Sequence, residues 1–251
     1  GQRIILPPTF TDGPRNMFEI YQDSMAITRF NQHPDIFLTM TANPRWPEIT
    51  AALLPHQQPT DRPDLMTRVF ELKRDRLMKE IDQNKLFGDK VAHVFTIEFQ
   101  KWGLPHMHAL IFLKGPDKIR TCAQVDNVVR AEFPDPKDDP LLFETVKSCM
   151  VHGPCGARDP QAPCMVDGRC SKKYPRAFSE ETIMDQDGYP IYRRRNTGQV
   201  HTITKHNVEY NVDNRNVVPY NPYLSRMFNC HINVEVYAGI RCVKYIHKYI
   251  Y

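Results

Sequence analysis

Glycine is scarce, 11 of 251 residues, while proline reaches 21, so the loops read as stiff rather than floppy. Long apolar runs are missing too. The longest, Ala109-Leu110-Ile111-Phe112-Leu113, falls far short of the roughly 20 residues a membrane-spanning helix needs. The opening Gly-Gln-Arg-Ile-Ile-Leu-Pro-Pro lacks the architecture of a secretory signal, and a start without Met is expected of a piece of a longer chain. Internal repeats and low-complexity tracts are absent. Neither sign of charge dominates: 33 Lys and Arg against 29 Asp and Glu leave +4. With 41% hydrophobic and 25% charged residues, disorder, collagen and coiled coil are poor readings. The length suits one large domain or two small ones with a real core.

Charge is uneven along the chain. Residues 190–251 hold nine Lys and Arg against three Asp and Glu, the concentration expected of a phosphate-binding surface, or of a solvated basic face. The seven cysteines are an odd number without a secretory signal, which argues against a disulfide framework and for a reducing compartment, cytosol or nucleus. Four of them, Cys149, Cys155, Cys164 and Cys170, share one short stretch.

Apolar periodicity predicts a helix over 15–30, a strand over 35–41, and a long helix over 61–87 with Leu65, Val69, Leu72, Arg76 and Lys79 on successive turns and Gly88 as the stop. Residues 91–100 and 106–113 alternate with period two and read as an antiparallel hairpin around Lys-Trp-Gly-Leu-Pro. Residues 134–140 form a turn-rich linker, followed by a short helix toward Cys149 and an irregular stretch over 149–178. Strands are predicted over 199–212 and 231–236, and a final helix over 240–251. The fold class is α+β with a mainly antiparallel sheet.

Three groups of residues carry chemistry. In Pro105-His106-Met107-His108, strand geometry puts both imidazoles on one face, about 7 Å apart along the backbone. Glu98 and Gln100 have common parity across the hairpin, so either can complete a site for Mg²⁺, Mn²⁺ or another divalent ion; the alternative is two hydrogen-bonded core histidines. In the closing Lys244-Tyr245-Ile246-His247-Lys248-Tyr249, the tyrosines are i and i+4 on the predicted helix, with Lys244 and Lys248 paired beside them. Phenol has a pKa near 10, so a nucleophilic tyrosine needs a cation, a polarised target or a base; the alternative is a packing role. The third group, His152, Cys155, Cys164 and Cys170 with Cys149 to spare, suits a closed tetrahedral Zn²⁺ site, against free buried thiols. Its loss is expected to loosen 149–178 without touching phosphate chemistry. Arg193-Arg194-Arg195 beside Tyr192 is a candidate phosphate contact.

These residues resemble a known family. Phe95-Thr-Ile-Glu-Phe-Gln-Lys-Trp-Gly-Leu-Pro-His-Met-His-Ala-Leu-Ile-Phe-Leu resembles the His-hydrophobic-His (HUH) motif of the Rep nuclease domain of Helitron transposases, and Val243-Lys-Tyr-Ile-His-Lys-Tyr-Ile resembles their two-tyrosine motif. The likeness extends through Asp35-Ile-Phe-Leu-Thr-Met-Thr-Ala-Asn-Pro-Arg-Trp-Pro-Glu, Val151-His-Gly-Pro-Cys-Gly, Cys170-Ser-Lys-Lys-Tyr-Pro, and Asn221-Pro-Tyr-Leu through Phe228-Asn-Cys-His-Ile-Asn-Val-Glu. It implies a central antiparallel sheet flanked by helices, with a small irregular zinc-binding insertion. The whole of 1–251 is then one nuclease domain: 1–90 an N-terminal helix and strand part, 91–133 the HUH hairpin and a helix, 149–178 the zinc segment, and 190–251 the basic part with the two-tyrosine helix.

The resemblance also implies metal-dependent nicking and strand transfer on single-stranded DNA through a 5′-phosphotyrosine, as in rolling-circle transposition in the nucleus. His106, His108 and Gln100 would hold Mg²⁺ or Mn²⁺, with Glu98 the alternative third ligand. Tyr245 and Tyr249 would be the nucleophiles, Tyr245 first because it lies nearer the start of its helix. Arg193, Arg194, Arg195, Lys244 and Lys248 would contact DNA, and a helicase domain would follow in the full-length protein. Two rivals stand beside this reading: a zinc-stabilised, non-catalytic module that binds single-stranded DNA, and a His-x-His metallohydrolase using activated water.

Overall fold

The structure is a computed structural model that describes residues 34–99, 103–185, 189–205 and 208–237, together with Arg15, Phe18 and Glu19. The helices expected over 15–30 and 240–251 fall outside these residues, apart from those three positions.

The central element is a four-stranded antiparallel sheet made of β1 (Ile36–Thr41), β2 (Lys90–Phe99), β3 (Pro105–Leu113) and, much later, β10 (Ile232–Val236), in the order β10-β1-β3-β2. Alternation along each strand divides its side chains between two faces. Ile36, Leu38 and Met40 of β1, Met107, Ala109, Ile111 and Leu113 of β3, and Ile232, Val234 and Val236 of β10 form one apolar face. Met66, Val69, Phe70, Leu77 and Ile81 of the long helix α2 (Pro63–Asp82) belong to the same cluster, as do Trp46 and Ile49 around the short helix α1 (Pro47–Thr50). Val125 of α3 (Cys122–Val128) and Leu224 and Phe228 of α5 (Pro222–Phe228) complete it. Trp46 is 1% exposed, and its indole donates to the Phe228 carbonyl at 2.7 Å, so this large ring is buried without an orphaned N–H. A fifth helix, α4 (Pro140–Cys149), packs through Leu142 and Val146 with Val217 and Tyr220 in a second, smaller cluster. With α4, the described residues hold five α-helices.

Two sequence expectations need correction. Helix α2 ends at Asp82, not at 87, because Lys85 takes a left-handed conformation (φ 53°) and the Asn84 and Leu86 amides turn back to the Lys79 and Glu80 carbonyls. Its buried stripe is broader than the expected spacing: Val69 is buried and Leu65 packs against the core, Met66, Phe70, Leu77 and Ile81 face inward as well, and Leu72 is 71% exposed. The strand expected over 199–212 is instead a hairpin, β8 (His201–Lys205) with β9 (Val208–Val212), paired from His201↔Val212 to Lys205↔Val208. Short pairs also join β4 (Met165–Val166) to β5 (Arg169–Cys170), and β6 (Ile183–Met184) to β7 (Pro190–Ile191).

Candidate active site

The opposite face of the sheet carries apolar residues such as Phe37, Leu110 and Phe112 and, toward one end, a polar group. Cross-strand register builds two parallel rows on it. One runs Glu98, His106, Thr41; the other runs Thr96, His108, Thr39, Asn233. Directly opposed antiparallel residues project to the same side, so both imidazoles share a face with Glu98 and with two threonines of β1. The His106 and His108 rings lie 4.4 Å apart between centroids and almost perpendicular, at 79°. Phe37 stacks on His108 at 5.6 Å and 13°, and Tyr237 meets Phe37 edge-on.

Both histidines are held neutral. Burial, followed by repulsion from His108 and His231, pushes the His106 pKa down to about 3. Burial and the nearby Lys172 bring His108 to about 4. A neutral imidazole is the form a metal requires. The Nδ1 atoms are engaged: Thr41 Oγ1 lies 2.6 Å from that of His106, and Thr39 Oγ1 lies 3.1 Å from that of His108. With Nδ1 so engaged, Nε2 is the ring nitrogen each histidine can offer a cation. Thr96 Oγ1, across from His108, is buried with no hydrogen-bond partner among the described residues. Two neutral nitrogens on one face, beside an orphaned buried hydroxyl, suit a divalent cation with open positions; among the described residues Glu98 shares that face by register but does not join the histidines in a three-donor cluster.

Gln100 lies outside the described residues, as do Tyr245, Tyr249, Lys244 and Lys248. Within the described register the acidic residue opposite His106 is Glu98. Sequence reasoning missed Thr39 and Thr41, although Thr-Met-Thr has the same period-two pattern as His-Met-His. It also missed Glu235, whose pKa burial raises and which pairs across the strands with Phe37 on this face.

The second candidate centre is assembled by tight turns. Asp167 and Gly168 both have positive φ, 49° and 73°, the geometry of a two-residue hairpin turn that favours Asp-Gly. That turn folds β4 onto β5, and the Ser171 amide donates to the Cys164 carbonyl at 2.8 Å. Cys164 and Cys170 thereby meet His152 and Cys155, with all four donor atoms within 4.8 Å of one another. Tetrahedral Zn²⁺ with Zn–S bonds of about 2.3 Å asks for donors about 3.8 Å apart, so a small contraction closes the site. Tyr174 stacks on the His152 ring at 4.3 Å. Burial raises the Cys155 thiol to about 12 and also raises Cys164, whereas at Cys170 burial is opposed by the Tyr174 and Lys172 amides and the Cys164 and Cys155 side chains, which together lower it. Only a bound cation makes all three thiolates favourable together. Cys149 stands outside this group, at the end of α4.

The arginine triplet is divided by the fold. Arg194 is 4% exposed and donates to the Ala131, Asn214 and Val217 carbonyls at 3.1, 2.8 and 2.6 Å. It is a cross-link between segments, with no exposed face for a phosphate. Arg195 forms a two-pronged pair with Glu132, at 3.0 and 2.8 Å, while Arg193 faces Glu132 and Asp126 at 3.5 and 3.7 Å. With Arg130, Asp135 and Tyr220, Arg193 and Arg195 line a cavity of about 250 Å³.

The zinc segment also brings a charge toward the histidine face. Lys172, two residues past Cys170, is close enough to depress His108 and to influence Glu235. We expect Cys164→Ser to lose one equivalent of tightly held zinc by elemental analysis. Its Tm should fall by about 5–10 °C, the shift that a loss of about 2–3 kcal/mol gives in a chain of this size. Unchanged zinc content would remove Cys164 from the ligand set.

Residues 1–111, somewhat under half of the chain, match the family described as the Helitron helicase-like domain at the N-terminus. No curated protein matches the chain.

Proposed function

We propose that this chain is the Rep nuclease part of a Helitron transposase: a metal-dependent enzyme that nicks single-stranded DNA and transfers the strand through a 5′-phosphotyrosine, in the nucleus and ahead of a helicase domain. The observation that carries this reading is the histidine pair of β3, held neutral, with each Nδ1 engaged by a β1 threonine and a carboxylate in register opposite His106. The family match over residues 1–111 supports it, since it includes β1, β2 and most of β3.

In this reading His106 and His108, with Glu98 or Gln100, hold Mg²⁺ or Mn²⁺. The bound ion supplies polarisation of the scissile phosphate and charge stabilisation on its oxygens. The Oη of Tyr245 gives up its proton to solvent and forms a new bond to phosphorus while the bond to the 3′ oxygen breaks, with no net change in protons once that oxygen is protonated. That oxygen leaves as a 3′-hydroxyl after taking up a proton, and the 5′-phosphate stays on the tyrosine. Tyr249 can accept a second strand in the same way. Strand-borne ligands and the packed core behind them keep the site rigid. Lys244 and Lys248, with the exposed Arg195 and the half-buried Arg193, supply charge for the DNA backbone.

The completeness of the His152, Cys155, Cys164 and Cys170 cluster favours one rival, a zinc-stabilised module that binds single-stranded DNA without cutting it. Incubation with single-stranded transposon-end DNA and Mn²⁺, followed by a denaturing gel, separates the two. The nuclease gives a covalent protein–DNA species; the binding module gives retention on a native gel only.

A further inference from the structure

The β1 sequence Thr39-Met40-Thr41 runs antiparallel to His106-Met107-His108 of β3, in register Thr41↔His106, Met40↔Met107 and Thr39↔His108. The two methionines, both fully buried, sit in the core, and the four polar residues occupy the other face. Thr39 is 6% exposed and His108 8%, so the hydrogen bond between them is shielded from water.

We propose that Thr39 and Thr41 are positioning residues of the metal site, each accepting the Nδ1–H of the histidine opposite and so fixing that ring with its Nε2 lone pair toward the ion. The proposal rests on reading the histidine pair as metal ligands. A neutral imidazole carries one ring proton. Holding it on Nδ1 leaves Nε2 as the acceptor, and the other tautomer would point an N–H at the cation. The partner of a ligating histidine is often a carboxylate or a backbone carbonyl. A hydroxyl orients the ring without adding negative charge, which leaves more of the ion's positive charge for the phosphate. Threonine also suits the position mechanically, because its branched Cβ is stiff at χ1 and strand-compatible.

The test compares the variants T39V/T41V and T39S/T41S with wild type and with His106→Ala, by Mn²⁺ titration followed by electron paramagnetic resonance, without DNA. Valine keeps the branched shape and removes the acceptor; serine restores it. The valine pair should bind Mn²⁺ about 10–100-fold more weakly, while the serine pair stays close to wild type. In metal-free wild type, ¹⁵N NMR of the two rings should show the proton on Nδ1. Wild-type Mn²⁺ affinity in a folded valine pair, a serine pair as weak as the valine pair, or rings protonated on Nε2 would each overturn the proposal. If His106→Ala binds Mn²⁺ as tightly as wild type, the metal assignment itself falls, a result distinct from the other three.

Discussion

The double variant Tyr245→Phe/Tyr249→Phe is expected to lose covalent capture of single-stranded DNA altogether, with nicking down by more than about a thousand-fold. Phenylalanine preserves ring packing and removes the oxygen that attacks phosphorus, so the loss would be chemical rather than structural. Binding of uncleaved DNA should survive, because the basic residues are unchanged. The outcome distinguishes transesterification from hydrolysis: a water nucleophile would leave nicking intact and form no protein–DNA bond. Of the single variants, Tyr245→Phe is expected to have the larger effect on first-strand cleavage, with strand transfer falling more sharply in Tyr249→Phe.

Replacing either imidazole should be nearly as severe. His106→Ala or His108→Ala removes a direct ligand, so the expected loss of nicking exceeds the roughly 10–100-fold that changes behind the ligands produce. The fold should persist, since the core lies on the other face of β3, packed through Met107, Ala109 and Ile111. The pH dependence follows from the same burial. With pKa values of about 3 and about 4, both rings remain unprotonated as pH falls from 7 toward 4, and proton competition for Mn²⁺ begins only there. Imidazoles at the ordinary 6.5 would already be losing metal near pH 6. The sign for stability is the same: unfolded histidines take up protons below about 6.5 and the folded ones do not, so these residues lower stability as pH drops through that interval. Urea unfolding of wild type against a His106→Gln/His108→Gln variant, measured from pH 7 to 4, should show the steeper decline in wild type.

Much of this was legible in the residues themselves. Strand β1 and the β2–β3 hairpin were readable because alternation over six to ten residues has few competing explanations, and the parity that put Glu98 on the histidine face is the parity of the folded sheet. The zinc group was readable because its four donors lie within 19 residues, separated by turn-forming residues such as Asp167-Gly168. What failed depended on distant contacts. The buried face of α2 was only partly legible: Leu65, Val69 and Leu72 have helical spacing, but packing against the sheet keeps Val69, leaves Leu72 exposed and adds Met66, Phe70, Leu77 and Ile81. Arg194 looked like one of three exposed cations until the Ala131, Asn214 and Val217 carbonyls, far apart in sequence, converged on it. The hydrogen bonds between Thr39 and Thr41 and the two histidines needed the β1–β3 register, which no local pattern specifies.

The central claim is that a tyrosine of this chain becomes bonded to DNA with the help of a metal held by His106 and His108. Mass spectrometry of the protein after incubation with single-stranded transposon-end DNA and Mn²⁺ tests it most directly. The account predicts a peptide carrying a nucleotide 5′-phosphate on Tyr245 or Tyr249, absent from His106→Ala and from chelator-treated wild type. Nicked DNA with neither tyrosine modified, or an adduct that forms equally well without the histidines, would contradict it.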